Sequence, residues 1–438
     1  MKNASTLALL ALLSAVPAAA EIQATGTEVL VNADQSFKQR RPVSLYHADG
    51  SFTSFWENDQ LGIRARRFAA NGQPIGPDMA LAPNQTLPSL PSVGAVLYNS
   101  QPAALNLPNR AGYLVFWTEE RSTMHLAPFH EWREVQSRHI VGQRFTAAGL
   151  PVGDRFRVST DARTLHSYPA ASLSRRQVLV TWQTETADST VSENTGVFAR
   201  LIDLRGNALS GVVRVSAADG GTAKRPTVAA NREGRYLVAW EGCCGDGSSL
   251  GVFARLVNSD ASPLNAPFLV NTTRDGGQAR ASIAADQANQ FLILWQGRFQ
   301  TAGDTRIFGQ LMDRDGRFLG AEIQISSGEQ GGNAQVAPSV AAKPNGGFIA
   351  LWLDYNEIFP LAVWARELDA SGNAASDERQ LSTRRPYAQY KTSIETDGRG
   401  HFLSAWEGSH GEEIGVTLIR FTVAGQDTPR QGGLEIAD

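Results

Sequence analysis

The chain has 438 residues, with 40 Lys and Arg against 43 Asp and Glu, for a formal net charge of −3. That near balance leaves no electrostatic footprint for a nucleic acid or an anionic membrane surface. Only two cysteines occur, Cys243 and Cys244, which excludes a scaffold built on several disulfides.

The N-terminus has the form of a secretory signal. Lys2 supplies a positive start, Leu7 to Val16 make an apolar stretch too short to span a bilayer, and Ala18-Ala19-Ala20 fits a small-residue cleavage site. Residues 1–20 are therefore expected to be removed, leaving 21–438 as one exported domain, periplasmic or extracellular. No later stretch is long and apolar enough for a transmembrane helix, so no membrane insertion is expected.

A phrase ending in tryptophan then recurs seven times, at intervals of 54 to 65 residues: SFTSFW to Trp56, GYLVFW to Trp117, QVLVTW to Trp182, RYLVAW to Trp240, QFLILW to Trp295, GFIALW to Trp352 and HFLSAW to Trp406. Such a period marks an array of one supersecondary unit. In the fourth unit PTVAA from Pro226, RYLVAW to Trp240, GVFARLV from Gly251 and FLVN to Asn271 read as four short strands separated by turns. Runs such as YLVAW hardly alternate, so both faces of each small sheet must be covered. Radial stacking of four-stranded blades does this.

The register is close to constant. The strand opening each unit begins at Pro42, Pro102, Pro169, Pro226, Ala281, Pro338 and Thr392, 13 to 15 residues before the repeated Trp. A glycine follows the third strand in six units, as a tight turn requires. The fourth-strand phrase occurs once too often: VLVN ends at Asn32 and LEIA begins at Leu434. Residues 28–32 are assigned to complete the last unit, with the C-terminal copy as the alternative.

These residues resemble a seven-bladed β-propeller of four-stranded antiparallel blades closed by a terminal strand. The likeness is to tandem repeats of bacterial exported proteins, with the forms P-x-V-A, F-L-V-x-W and G-x-x-A-R-x-x-D-x-x-G. The kelch, WD40 and sialidase-box patterns are absent. The resemblance implies a scaffold and carries over no catalytic residue.

All length variation falls in the second-to-third loops and the connections between units, which share one face. From the repeated Trp to the small residue of the third strand the span is 25 residues in unit two and 9 to 17 elsewhere. Variable loops on a rigid scaffold are where binding residues concentrate. The long segment of unit two holds the candidate binding residues His125, His130, Glu131, Glu134 and His139. His130 and Glu134 would share a face if HEWRE formed one helical turn. The spacing matches no established metal motif, so the metal content is left open. Cys243 and Cys244 complete the candidate set; a strained vicinal disulfide, a thiolate metal site, and reduced or intermolecular pairing are its three fates. The repeated Trp residues are assigned to packing between blades, and Asp313-x-Asp315-Gly316 to a turn rather than a calcium loop. The recurring Arg66, Arg200, Arg255 and Arg366 are assigned to hydrogen bonds between blades.

Carboxylates just beyond the Trp residues, among them Glu57, Glu119, Glu120, Glu241, Asp354 and Glu407, form an acidic rim. Arg40, Arg41, Lys224, Arg225, Arg384 and Arg385 join it on the same face. Nucleophile elbows, phosphate loops and dinucleotide fingerprints are absent, so no cofactor is expected. The leading expectation is a monomeric, non-catalytic propeller binding a protein or glycan through its elaborated face. The alternative is a polysaccharide-acting hydrolase or lyase using Glu119, Glu120, His130, Glu407 or His410 near the funnel.

Overall fold

The computed structural model describes residues 22–87, 93–127, 130–161, 164–186, 196–218, 221–243, 250–274, 276–298, 305–328, 334–355, 362–383, 391–410 and 413–423. The expected signal segment and the LEIA phrase lie outside them. Among the described residues the chain is all-β, and its one helical piece is a 3-10 turn, Pro108–Arg110. No helix among the described residues is long and apolar enough to cross a membrane.

The first unit is an antiparallel meander of Gln39–Tyr46, Phe52–Asn58, Gly62–Phe68 and Pro74–Pro83. The fourth unit repeats it with Ala223–Ala230, Tyr236–Gly242, Gly251–Val257 and Phe268–Leu269. Units two and three merge into one sheet through a single parallel pair, Arg138 with Leu165. Units five and six merge through Thr305 with Ala334.

Burial follows strand order. Phe52–Asn58 is buried at every residue, Gly62–Phe68 only in part, and Pro74–Pro83 is largely exposed. The continuous apolar runs of the second strands thus lie covered on both faces. The seven repeated Trp side chains are 0 to 3% exposed, and burying one indole is worth roughly 4–6 kcal/mol before opposing terms. Seven apolar clusters make the core, and each draws on two successive units. Leu179 and Val197 of unit three, for example, pack with Tyr236 and Trp240 of unit four. The last unit packs on the first, with Leu403 and Val416 against Phe52 and Trp56. First strands follow the same cyclic order, and Thr392–Thr396 lies against Gln39–Tyr46.

Polar ties reinforce this order. Arg66, Arg200, Arg255 and Arg366 each donate Nη1 to a carbonyl of the preceding unit, those of Val31, Val158, Val215 and Ile325, at 2.7 to 3.1 Å. The N-terminal residues occupy the fourth-strand place of the last sheet: Val29 pairs with Leu418 and Leu30 with Thr417. The Asn32 side chain then accepts the Val416 N–H at 2.8 Å. The two ends of the described chain are therefore hydrogen-bonded together.

Asp313 lies in a turn. Its Oδ1 accepts the N–H groups of Asp315 and Arg317 at 2.8 and 2.9 Å. Gly316 sits at φ +80°, where a Cβ would come within 2.8 Å of Leu256, so the turn residue also fits against the preceding unit.

HEWRE does not form the helical turn on which His130 and Glu134 would share a face. His130–Phe145 is a strand, paired with Tyr113–Ala127 along nearly its whole length. The insertion of unit two is a long β-hairpin because both of its arms continue the ladder begun in the core.

Candidate active site

Six of the first strands slip register at the residue before the opening Pro or Ala. Arg41, Gln101, Tyr168, Arg225, Arg280 and Ala337 occupy these bulges with φ between 48° and 58°. A left-handed non-glycine residue costs of order 1–3 kcal/mol and persists only where its surroundings hold it. Here the hold is a hydrogen bond from the bulge N–H to the residue after the repeated Trp of the preceding unit. Arg41 N–H donates to Glu407 at 2.8 Å, Gln101 to Glu57 at 2.9 Å, and Arg225 to Gln183 at 2.9 Å. Arg280 donates to Glu241 at 2.7 Å and Ala337 to Gln296 at 3.0 Å. Thr118 is too short for this role, and the Tyr168 N–H reaches Gln101 Oε1 instead, at 2.7 Å.

The bulges turn their side chains toward the axis, where they line a cavity of about 680 Å³. Arg41, Tyr168, Arg225, Arg280, Lys391 and Glu407 give it its chemistry. Arg41 pairs with Glu57 at 2.5 Å and stands 5.7 Å from the centroid of the Tyr168 ring. Arg225 pairs with Glu241 at 3.1 Å and also neighbours Tyr168. Tyr168 thus meets arginines from units one and four.

Burial raises the Glu407 carboxyl above its usual range, against the pull of the Arg41 N–H and the nearby cations. Burial also disfavours the Arg41 charge, but Glu57 outweighs it and Arg41 is held above its ordinary value. Arg280 is lowered by burial and by Arg225. Lys391 is ringed by protein yet open to the cavity; burial, with Arg41 beside it, pushes it down to about 8. A carboxyl raised by burial beside arginine-paired carboxylates is an acid–base arrangement.

The sequence candidates lie on the same side, on and beside the long hairpin. His125 Nε2 and Glu134 Oε2 are 3.0 Å apart across it. Glu120 is buried and fully engaged, accepting from Arg138 Nη2 at 2.8 Å and Ser122 Oγ at 2.6 Å, with Arg133 at 3.2 Å. Glu119 pairs with Arg155 at 2.5 Å. His130 and Glu131 sit opposite Ala127 and Leu126 in the ladder. Cys243 donates its N–H to Thr222 at 3.1 Å. Cys244, Arg384 and Arg385 lie outside the described residues, so the pairing of the cysteines does too.

His139 is buried, with burial and Arg157 pushing it down to about 4. Its ring lies 6.2 Å from that of His166. Sequence reading passed over His166, whose Nδ1 accepts from Trp182 Nε1 at 3.1 Å while Nε2 faces the Asp161 carbonyl at 2.9 Å. Those partners require the neutral Nε2–H tautomer. Among the described residues no group of three or more His, Cys, Asp or Glu could hold a metal. Arg280, Lys391 and Tyr168 were also passed over; their signal was the position just before each strand-opening residue.

No protein-family model matches this chain, and no curated protein matches it. Solved structures do. A protein of unknown function from Dyadobacter fermentans is 9% identical, with a TM-score of 0.54 over 92% of this chain and 99% of that one. A variant of the sialidase NanB from Streptococcus pneumoniae is 8% identical, with a TM-score of 0.50 over 90% of this chain and 70% of that one. An α-L-arabinofuranosidase variant from Fusarium graminearum is 12% identical, with a TM-score of 0.49 over 90% and 98%. At such identities the likeness concerns the fold, which is a β-propeller. The expectation of a non-catalytic binder is corrected here. One of the similar structures is a sialidase, an enzyme rather than a binder, and the axial cavity holds a carboxyl raised by burial.

Proposed function

We propose that this protein is an exported glycan-acting hydrolase on a seven-bladed propeller, with its active site in the axial cavity. The seven tryptophan phrases and the cyclic packing of successive units support the blade count, and the N-terminal strand closes the ring. Glu407 protonates the departing glycosidic oxygen, and an arginine-paired carboxylate, Glu57 or Glu241, assists the attacking water or the positive charge developing on the sugar. The long hairpin rises from the same face and forms a wall for substrate, with His125, Glu134 and His139 along it. The similar solved structures, a sialidase and an arabinofuranosidase, support a saccharide substrate.

The observation that carries this reading is the paired environment of Glu407 against Glu57: one raised by burial, the other in contact with a guanidinium. The test is release of reducing ends from a panel of plant, bacterial and animal polysaccharides by the purified protein. Turnover that disappears in Glu407→Gln supports the reading, and no turnover across the panel overturns it.

A further inference from the structure

We infer that the axial cavity takes an acidic saccharide, whose carboxylate or sulfate is received by Arg41, Arg225, Arg280 and Lys391. This rests on the reading of the cavity as a glycan site and names its substrate class.

The cations come from units one, four, five and seven and converge only because the ring brings the bulges together. Arg41 and Arg225 both approach Tyr168, although unit two separates the first from it and neither shares its sheet. With Arg40, five cationic side chains line the space. Among the described residues three carboxylates stand against them, Glu57, Glu241 and Glu407. Among the described residues positive charge is therefore in surplus around the cavity, although the chain as a whole is slightly negative.

A purely structural account covers part of the set. The Arg41 and Arg225 head groups are committed to Glu57 and Glu241. It does not cover Lys391, which makes no hydrogen bond or ion pair with a described residue and lies open to the lumen. Guanidinium forks match the two oxygens of a carboxylate or sulfate. Pro102, Pro169 and Pro226 add rigid apolar surface between the charged tips, suited to the faces of a sugar ring.

The test is titration calorimetry at two salt concentrations. The probes are trigalacturonate, sialyllactose and a sulfated disaccharide, with arabinotriose and cellotriose as neutral controls. At least one acidic saccharide is expected to bind about tenfold or more tightly than the neutral ones, and to weaken with salt. The three acidic probes separate carboxylate from sulfate as the recognised group. Arg280→Gln and Lys391→Gln are each expected to weaken that binding about tenfold. Lys391→Gln breaks no hydrogen bond within the described protein, and thermal melting confirms that both variants are folded. Equal binding of neutral and acidic saccharides overturns the inference, as does unchanged binding in both folded variants. Acidic binding without turnover keeps the inference and counts against hydrolysis; turnover confined to neutral glycans does the reverse.

Discussion

The backbone N–H of Arg41 donates to Oε1 of Glu407 at 2.8 Å, across the junction between the last unit and the first. In two other units a glutamine, Gln183 or Gln296, holds the corresponding N–H. The same position therefore serves as a latch at five junctions among the described residues, and in the last unit its side chain also lines the cavity.

Glu407→Gln is accordingly expected to keep the latch and lose the acid. Its unfolding free energy should stay within about 1 kcal/mol of wild type, whereas Glu407→Ala, which strands the Arg41 N–H, should lose about 1–3 kcal/mol. Denaturant melts of the two variants check this; equal destabilisation would remove the latch from the account.

Lys391 gives a pH signature. Its folded pKa of about 8 lies below its ordinary 10.5, so the folded state binds fewer protons than the unfolded state between those values. Stability therefore rises as pH climbs from about 8 to 10.5, and the burden of the charged lysine is fully present below 8. Lys391→Gln should raise the melting temperature at pH 7, with the gain fading above pH 10.5. A gain that does not vary with pH would show that charge is not its origin.

Removing residues 121–138 shortens the hairpin and also takes away the Arg138–Leu165 pair to unit three and the strand partners of residues 93–97. Glu120 would then lose Arg138 and Arg133, so the deletion is best combined with Glu120→Gln, which avoids an unpaired buried carboxylate. The protein should fold with a lowered melting temperature and bind saccharide at least about tenfold more weakly. Undiminished binding would take the wall out of the site.

Arg366 ties units by donating to Ile325 at 2.7 Å and to Ser376 at 3.0 Å. Arg366→Met keeps much of the side-chain volume and leaves both carbonyls without this donor, for an expected loss of about 2–4 kcal/mol. Urea melts measure it; a neutral substitution would mean that water replaces the arginine at no cost.

Much of this architecture is legible in the sequence, because each unit carries its own local instructions. The Trp phrases mark strands covered on both faces, and Asp313 with Gly316 marks a hairpin turn. Arg66, Arg200, Arg255 and Arg366 recur because each must reach one carbonyl of the preceding unit. HEWRE misleads because its spacing suits a helix, while the ladder begun at Tyr113 and Phe145 imposes a strand. The cavity is harder to read. Tyr168 and Lys391 are more than 200 residues apart, and only the packing of successive units gives them a common space. Glu57, Glu241 and Glu407 are visible as acids beyond a Trp, but their bonds to the next unit's bulge depend on a register slip no local pattern announces.

The most direct measurement is the rate of reducing-end release by wild type and Glu407→Gln, on the polysaccharide that wild type turns over fastest. The account predicts measurable turnover by wild type, a fall of at least about a hundredfold in the variant, and unchanged thermal stability. A variant that is equally stable and equally active would contradict the assignment of Glu407 and, with it, the catalytic reading of the axial cavity.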